Sequence, residues 1–255
     1  MTGWWGIRCV WLRYFDVYRK SLFYSVVTTF VEPTLYLIAF GFGLGGIIKT
    51  IHVGNIEVSY RQFVFAGIVG QTILFQAFFE AAYGSFIRMY YQRIFQAIAT
   101  TPITLSEVLW AELIWDATKA TFACSAVLLI GTAMGDFRPL GALMALPLCF
   151  LCAFIFAGLG LFVAARSRTI EEISYPQYLL IFPMFLFCGI FFPMESLPKI
   201  VQWIAWALPL TSVVSMIRSL TLGIPFQFQA LPFLAIWIVA LIPRSRRAMT
   251  RRLIK

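Results

Sequence analysis

The sequence predicts an all-α integral membrane protein with six transmembrane helices, and two observations carry that prediction. The 255 residues are 61% hydrophobic and only 12% charged, with a mean hydropathy of +0.85, whereas soluble domains average about 25% charged residues. The apolar residues also fall in long runs, and about 20 residues suffice for a helix to cross a bilayer core of about 30 Å. This composition excludes a soluble globular domain, a disordered chain and a disulfide scaffold.

The chain begins with an amphipathic segment that predicts an interface helix over residues 1–22. Trp4, Ile7 and Trp11 begin an apolar face at helical spacing. Arg13 and Lys20 lie on the opposite face. Because an aromatic and basic helix of this kind is stable at the headgroup level, we expect it to lie in the membrane interface rather than cross the bilayer.

The positive-inside rule decides how many of the apolar runs cross the membrane. With six spans, 14 Lys and Arg side chains fall on the side of the two termini and 5 on the other, whereas a seventh span would leave 8 inside and about 11 outside. Both termini are therefore predicted to be cytoplasmic, with a basic tail at residues 244–255. The six predicted spans are residues 24–48, 63–83, 108–134, 140–165, 173–192 and 226–243.

The apolar stretch at residues 193–218 is accordingly predicted to be an extracellular re-entrant hairpin between spans five and six. Pro198 and Pro209 interrupt it, which prevents one continuous helix. Irregular backbone at membrane depth requires protein or water to satisfy its polar groups. The residues assigned to the hairpin are Phe192, Pro193, Leu197, Pro198, Trp203, Trp206, Pro209 and Arg218.

A short amphipathic helix is predicted on the cytoplasmic side at residues 85–101. Ile94 and Ile98 mark its apolar face, while Arg88 and Arg93 mark its polar face. Pro102 follows, and because proline disfavours the helical conformation in the residue before it, the helix is predicted to end there. Two interpretations remain open: a helix lying on lipid, or a rigid lever that contacts a cytoplasmic partner.

Charged residues at membrane depth form a second candidate site. Glu112, Asp116 and Lys119 are spaced to share one face of the third span, with Asp116 able to pair with Lys119. Glu80 lies near the end of the second span and Glu32 near a proline in the first. Buried charges are costly in a bilayer and face protein or a watery path, so these residues either brace the spans or line a substrate route.

The sequence contains no G-x-x-x-x-G-K-[ST] loop, so we expect no ATP hydrolysis by this chain itself. Residues 41–46 match G-x-G-x-x-G but fall inside a spanning helix, where close helix packing is the simpler interpretation. Cys149 and Cys152 lie in another span, and His52 is the single histidine. No catalytic residue and no metal site is therefore predicted.

Several segments together resemble the ABC-2 type permeases, the membrane subunits of ATP-driven transporters. Their order and spacing, more than any one of them, carry the resemblance. They are residues 32–37 (EPTLYL), 60–63 (YRQF), 101–103 (TPI), 189–198 (GIFFPMESLP) and 208–211 (LPLT). Within the family the chain is similar to the nodulation-factor exporter permeases, through residues 79–83, 86–89, 92–93, 111–113 and 117–120.

The resemblance implies a bacterial inner-membrane exporter in which two permease copies, as a homodimer, pair with two ATPase subunits. ATP and magnesium would bind to those ATPases, and this chain would bind no cofactor and no nucleic acid. The cargo would be an amphipathic molecule such as a lipid-linked saccharide, a lipo-oligosaccharide, a polysaccharide or a drug-like lipid. The ATPase-coupling residues would be Arg88, Tyr91, Gln92, Arg93, Ile94, Phe95, Ile98, Thr101 and Pro102.

The main alternative is a proton-coupled carrier that uses the face of Glu112, Asp116 and Lys119. Such carriers often contain internal repeats, and this sequence shows none. A membrane-embedded enzyme lacks a nucleophile and base at suitable positions, and a non-transporting scaffold remains a further possibility.

Overall fold

The computed structural model describes residues 3–53, 56–225 and 228–253, and most of these residues are helical. The predicted helical class is confirmed, with one β-hairpin that the sequence analysis missed. Strand β1 (Thr50–Val53) pairs antiparallel with β2 (Ile56–Ser59). The predicted start of the first helix at residue 1, the start of the sixth span at 226 and tail residues 254–255 lie outside the described residues.

The first two helices lie end to end. Helix α1 spans Gly3–Lys20 and buries Gly6, Val10 and Tyr14. Helix α2 spans Leu22–Tyr36, contains Pro33, and continues as a π-helical segment and a short 3₁₀ turn as far as Gly46. Proline removes a helical hydrogen bond, and the wider turns follow immediately after it.

The second predicted span is longer than the sequence indicated. Helix α3 (Tyr60–Phe79) passes through a π-helical turn (Glu80–Gly84) into α4 (Ser85–Tyr90) without a break. A separate helix, α5, covers only Ile94–Ala99. The predicted single helix at residues 85–101 is therefore wrong, because its first part continues α3.

Helices α6 (Leu105–Ala133) and α7 (Pro139–Arg166) correspond to the third and fourth predicted spans. The start of α6 has a capping box, in which Thr104 and Glu107 bond each other's backbone N–H groups. Proline is favoured at the first helical position because its missing N–H would be unpaired there, and Pro139 opens α7 in this way.

The fifth predicted span ends earlier than the sequence indicated. Helix α8 (Ile170–Pro176) continues through a π-helical segment (Gln177–Ile181) to α9 (Phe182–Phe187), which ends five residues before the predicted boundary at 192. Helix α10 (Lys199–Ala207) follows, and α11 (Pro209–Leu222) leaves it at an angle of 85°.

The last helix, α12, runs from Ala230 to Leu253. The predicted basic tail is therefore not a separate segment but the last turns of α12. By length and composition, three helical stretches of the described residues can cross a membrane: Tyr60–Tyr90, Leu105–Ala133 and Pro139–Arg166. The bent pair α10 and α11 would make a fourth if counted as one span.

Helix α3 is the centre of the bundle. Every residue from 63 to 75 is buried, and α3 packs against α6, α7 and α11. One end of the bundle, called here the basal end, holds the start of α1, α5 and the last turns of α12. The opposite end, called the apical end, holds the β-hairpin, the α6–α7 turn and the end of α11.

Gly160 allows α7 to pack tightly against the end of α3. A Cβ atom at Gly160 would lie 2.6 Å from the carbonyl oxygen of Phe78 and 2.8 Å from the Cβ of Ala81. A Cβ at Gly158, two residues earlier on the same helix, would meet Leu241 at 3.5 Å, an ordinary contact.

We therefore expect Gly160→Ala to destabilise the protein, since overpacking of a tight core costs about 1–3 kcal/mol. Gly158→Ala is the matched control and should be neutral or slightly stabilising, because alanine is the better helix former. The thermal unfolding midpoint of the detergent-purified protein measures both effects. Equal midpoints for the two variants would contradict the packing described here.

Candidate functional site

A buried arginine connects two helices near the basal end. Arg88 in α4 places its Nη1 2.9 Å from Oε1 of Glu80. Its Nε and Nη2 donate to the two carboxylate oxygens of Glu112 at 3.0 and 2.6 Å. Ser85 also donates to Glu112, at 2.9 Å. This two-pronged geometry is the strong form of an arginine–carboxylate contact.

A glycine in the π-helical turn between α3 and α4 leaves room for this contact. A Cβ at Gly84 would lie 3.0 Å from Oε1 of Glu80 and 3.1 Å from Nη1 of Arg88. Glycine therefore leaves the space in which the ion pair crosses from one side of the turn to the other. Wide turns of this kind occur frequently at functional sites.

Lys119 pairs with a different carboxylate from the one predicted. Its Nζ lies 2.6 Å from Oε2 of Glu80, so the predicted Asp116–Lys119 pair is wrong. Asp116 is fully buried, with Oδ1 3.7 Å from Nη2 of Arg88. Neither oxygen of Asp116 accepts a hydrogen bond from the part of the chain that the structure describes.

Four of the five predicted intramembrane charges thus meet around Arg88, and the fifth, Glu32, lies apart on α2. We call Glu80, Arg88, Glu112, Asp116 and Lys119 the charge cluster. It holds three carboxyl groups against two cations. Glu112 and Asp116 are enclosed, whereas Glu80 and Lys119 line a cavity of about 250 Å³ beside α1.

Helix α1 is attached to α6 through aromatic side chains. The hydroxyl of Tyr14 donates to Glu112 at 2.5 Å, and burial raises the pKa of Tyr14 well above its ordinary value, so the donor proton is retained. Trp115 of α6 is surrounded by Trp11, Tyr14 and Tyr18, with ring centroids 5.6–6.2 Å away. Such aromatic pairs add about 0.5–1.5 kcal/mol each beyond area burial.

The segment between α4 and α5 turns sharply. Arg93 has a positive φ of 51°, a left-handed conformation that is uncommon for a residue other than glycine. Tyr91, Gln92 and Arg93 are exposed, while Phe95 of α5 is buried. The buried face of α5 packs against the bundle, and the turn before α5 is therefore accessible to a partner at the basal end.

Helix α5 is partly buried, and a side-chain hydrogen bond caps its C-terminal end. Ile94 is half-buried and Ile98 is buried. The hydroxyl of Thr101 donates to the carbonyl oxygen of Ile98 at 2.6 Å, and Pro102 follows. This short helix therefore packs against the bundle by the predicted apolar face.

Arg88 does not lie on the exposed polar face where the helical pattern placed it. The pattern assumes one continuous helix from residue 85 to 101. Because the helix breaks at residues 91–93, the polar and apolar faces assigned from that pattern do not apply. Only 12% of the Arg88 side chain is exposed. It belongs to the charge cluster rather than to the exposed turn at residues 91–93.

Near the apical end, Arg218 of α11, which was predicted to lie in the extracellular hairpin, is also buried. Its Nη2 donates to the carbonyl oxygens of Gly189 at 2.6 Å and Ile190 at 3.2 Å. Its guanidinium lies 3.6 Å from the ring centroid of Phe63. Arg218 thus fixes the irregular segment after α9 to α3 and α11, which satisfies backbone groups that have no helical partner.

The predicted hairpin residues surround the bend between α10 and α11. Pro198 precedes α10 and Pro209 opens α11. Trp203 and Trp206 are exposed on α10, as is Phe192 before it, whereas Pro193 and Leu197 are half-buried. The hydroxyl of Thr211 donates to the carbonyl oxygen of Ala205, which braces the bend.

Sequence reasoning missed several partners of these sites. Tyr14 was assigned only to the apolar face of the first helix and Trp115 was given no role, because nothing in their spacing revealed the carboxylate or the surrounding rings. Arg61 and Asp136 form a 2.8 Å ion pair that joins the start of α3 to the α6–α7 turn. Their opposite charges in two loops predicted on the same side of the membrane were an available signal.

Comparison with known proteins identifies the family. The sequence profile described as ABC-2 type transporter matches residues 6–222. The chain is 32% identical to Nodulation protein J of Rhizobium meliloti (strain 1021) over 98% of this chain and 94% of the relative. It is 33% identical to Nodulation protein J of Rhizobium leguminosarum bv. trifolii over 96% of this chain and 93% of the relative.

A more distant relative is the inner membrane transport permease YadH of Escherichia coli (strain K12), which is 22% identical over 87% of this chain and 84% of the relative. The resemblance drawn from the sequence segments is thereby confirmed. With its apolar membrane-length helices and a family match over most of its length, the chain belongs to the ABC-2 type transporter family of multi-pass membrane permeases.

Proposed function

We propose that this protein is the transmembrane permease subunit of an ATP-driven exporter whose ATPase is a separate polypeptide. The observation that carries the proposal is the match to the ABC-2 family and to Nodulation protein J along almost the whole chain. The proposed assembly contains two permease copies and two ATPase subunits, with ATP and magnesium bound by the latter. The chain itself performs no hydrolysis.

The proposed topology has six spans in a bacterial inner membrane, with both termini in the cytoplasm at the basal end. The distribution of Lys and Arg supports this arrangement. So does the meeting of both terminal helices with the start of α6: Arg246 of α12 donates to Ser106 at 2.5 Å, and Gly6 of α1 lies against Glu107. In this topology the bent pair α10–α11 is the extracellular re-entrant hairpin.

The proposed drive enters through α1 and the exposed turn before α5. A ligand moves a conformational equilibrium only if it binds two states differently. An ATPase dimer that closes on ATP would contact these elements differently in its two states. The charge cluster supports this route, because Arg88 lies three residues before the turn and its partner Glu112 is bonded to Tyr14 of α1.

The proposed cargo is amphipathic, of the lipo-oligosaccharide or lipid-linked saccharide class. The names of the nodulation relatives and the resemblance to the nodulation-factor exporter branch favour this class. The test is purification of the complex from its native host, followed by reconstitution in proteoliposomes. We expect a co-purifying polypeptide with a Walker A motif and ATP hydrolysis that candidate cargo stimulates.

The proton-coupled carrier makes the opposite prediction in the same proteoliposomes. Transport that continues without ATP and stops when the proton gradient is collapsed would overturn the ATP-driven function. ATP hydrolysis that no candidate cargo stimulates, without net transport, would indicate the scaffold instead.

Reversing the charge of the exposed turn should impair coupling without disturbing the fold. We expect Arg93→Glu to lower ATPase co-purification and cargo-stimulated hydrolysis several-fold, since an exposed side chain contributes little to stability. Lys49→Glu is the control, because Lys49 is an exposed cation near the apical end. Pull-down yield and hydrolysis rate are measured for both, and equal loss in both variants would contradict the proposed contact.

Neutralising the two buried carboxyl groups of α6, Glu112 and Asp116, should have unequal effects. Glu112→Gln removes the charge that Arg88 contacts at 2.6 Å, and breaking a buried pair costs about 3–5 kcal/mol. We expect a low yield of folded protein. Asp116→Asn removes a carboxyl group that accepts no hydrogen bond from the described residues, and should fold and transport normally.

The Asp116→Asn variant also separates the two functions. A carrier that moves protons through this face would lose transport in that variant. Size-exclusion profiles establish folding, and transport in proteoliposomes supplies the second readout.

A further inference from the structure

A large basic cavity lies between the basal ends of α7 and α12. Its volume is about 900 Å³. Six arginines line it. Two come from the end of α7 and the turn after it, and four come from the second half of α12. These arginines are Arg166, Arg168, Arg244, Arg247, Arg251 and Arg252.

Some of these arginines are held in place by the bundle. Arg252 donates from Nη1 to the carbonyl oxygen of Ala164 at 2.7 Å and also contacts that of Ser167. Arg244 donates to the carbonyl oxygen of Ala240 at 2.8 Å. These bonds engage backbone carbonyls, which carry no full charge, so the positive charge of the arginines is not neutralised by them.

No Asp or Glu side chain lines this cavity among the residues that the structure describes. Glu172 lies beside the cavity: it accepts a hydrogen bond from the backbone N–H of Arg168 at 2.6 Å and interacts electrostatically with Arg252. Arg247 and Arg251 are exposed. The cavity therefore carries a strong net positive charge, unlike the charge cluster, where carboxylates outnumber cations.

The position of the cavity fits the headgroup level of a membrane. Helix α7 has 28 residues, which gives it a length of about 42 Å, and it qualifies as a membrane-length apolar helix. Its last residue, Arg166, lines the cavity. On α12, Val239, Pro243 and Arg247 follow one another at helical spacing and are all exposed, so an apolar stripe leads directly into the arginines.

We propose that this cavity binds the phosphate headgroup of an anionic phospholipid, whose acyl chains lie along the apolar stripe of α12. Arginine forms two parallel hydrogen bonds with phosphate, and basic pockets between membrane helices bind phospholipid headgroups of this kind. This lipid is a structural ligand distinct from the exported cargo. The site does not depend on the ATPase.

The full-length chain, purified in detergent, is titrated with cardiolipin, with phosphatidylcholine and with inorganic pyrophosphate. The readouts are native mass spectrometry and the thermal unfolding midpoint. We expect saturable binding and a raised midpoint with cardiolipin only. Equal effects of phosphatidylcholine, or a pyrophosphate effect equal to that of cardiolipin, would overturn the proposal of a lipid site.

The test variant is Arg247→Gln combined with Arg251→Gln, since both side chains are exposed and their loss leaves the fold intact. A basic residue near an anionic lipid surface contributes about 1 kcal/mol, so the double variant should bind cardiolipin roughly 30-fold more weakly. Arg19→Gln combined with Lys20→Gln is the control, because it removes two exposed cations from the end of α1, away from the cavity.

An equal loss of cardiolipin binding in both double variants would show a general surface charge effect and overturn the site. Unchanged lipid binding in the test variant together with reduced ATPase co-purification would assign the cavity to a protein partner instead. The function proposed above is tested separately, because lipid binding is measured without ATPase and without cargo.

Discussion

The burial of Arg88 within an apolar bundle is the constraint on which the basal half of this protein depends. A charge removed from water costs several kcal/mol unless opposite charges and hydrogen bonds surround it. Glu80 and Glu112 supply the charges, and Ser85 and Tyr14 supply further hydrogen bonds to Glu112. Each of these groups lies on a different turn or helix. The position of one side chain therefore fixes the relation of α1, α3, α4 and α6.

A cluster of this kind specifies an arrangement more than it stabilises the protein. A buried ion pair is often no more stable than well-packed apolar side chains, but removal of one partner is strongly unfavourable. The helices around Arg88 consequently have few alternative registers. Rigid elements with discrete arrangements can carry a displacement from one site to another, which is the property that the proposed drive through α1 and the turn before α5 requires.

Much of the fold followed from the sequence because long apolar runs and proline positions are local signals. The boundaries of α6 and α7 lie within a few residues of the predicted spans. The charge cluster was predicted only in part. Glu112, Asp116 and Lys119 share a helix face, but the true partner of Lys119 is Glu80, 39 residues earlier. A pairing between helices depends on their packing, which helical periodicity within one segment does not contain.

Errors at Arg88 and Arg218 have a related cause. The phase of the predicted helix at 85–101 was carried through residues 91–93, where Arg93 adopts a left-handed conformation. Arg218 was counted on the outer side of the membrane as part of the hairpin, yet it is buried, and carbonyl oxygens freed by the irregular backbone near Gly189 accept its hydrogen bonds. Charge counting treats every arginine as exposed. A buried guanidinium can nevertheless donate its hydrogen bonds to carboxylates, as Arg88 does, or to backbone carbonyls, as Arg218 does. Where only uncharged carbonyls are provided among the described residues, as for Arg252 in the cavity between α7 and α12, the positive charge remains available for an anion from outside the chain.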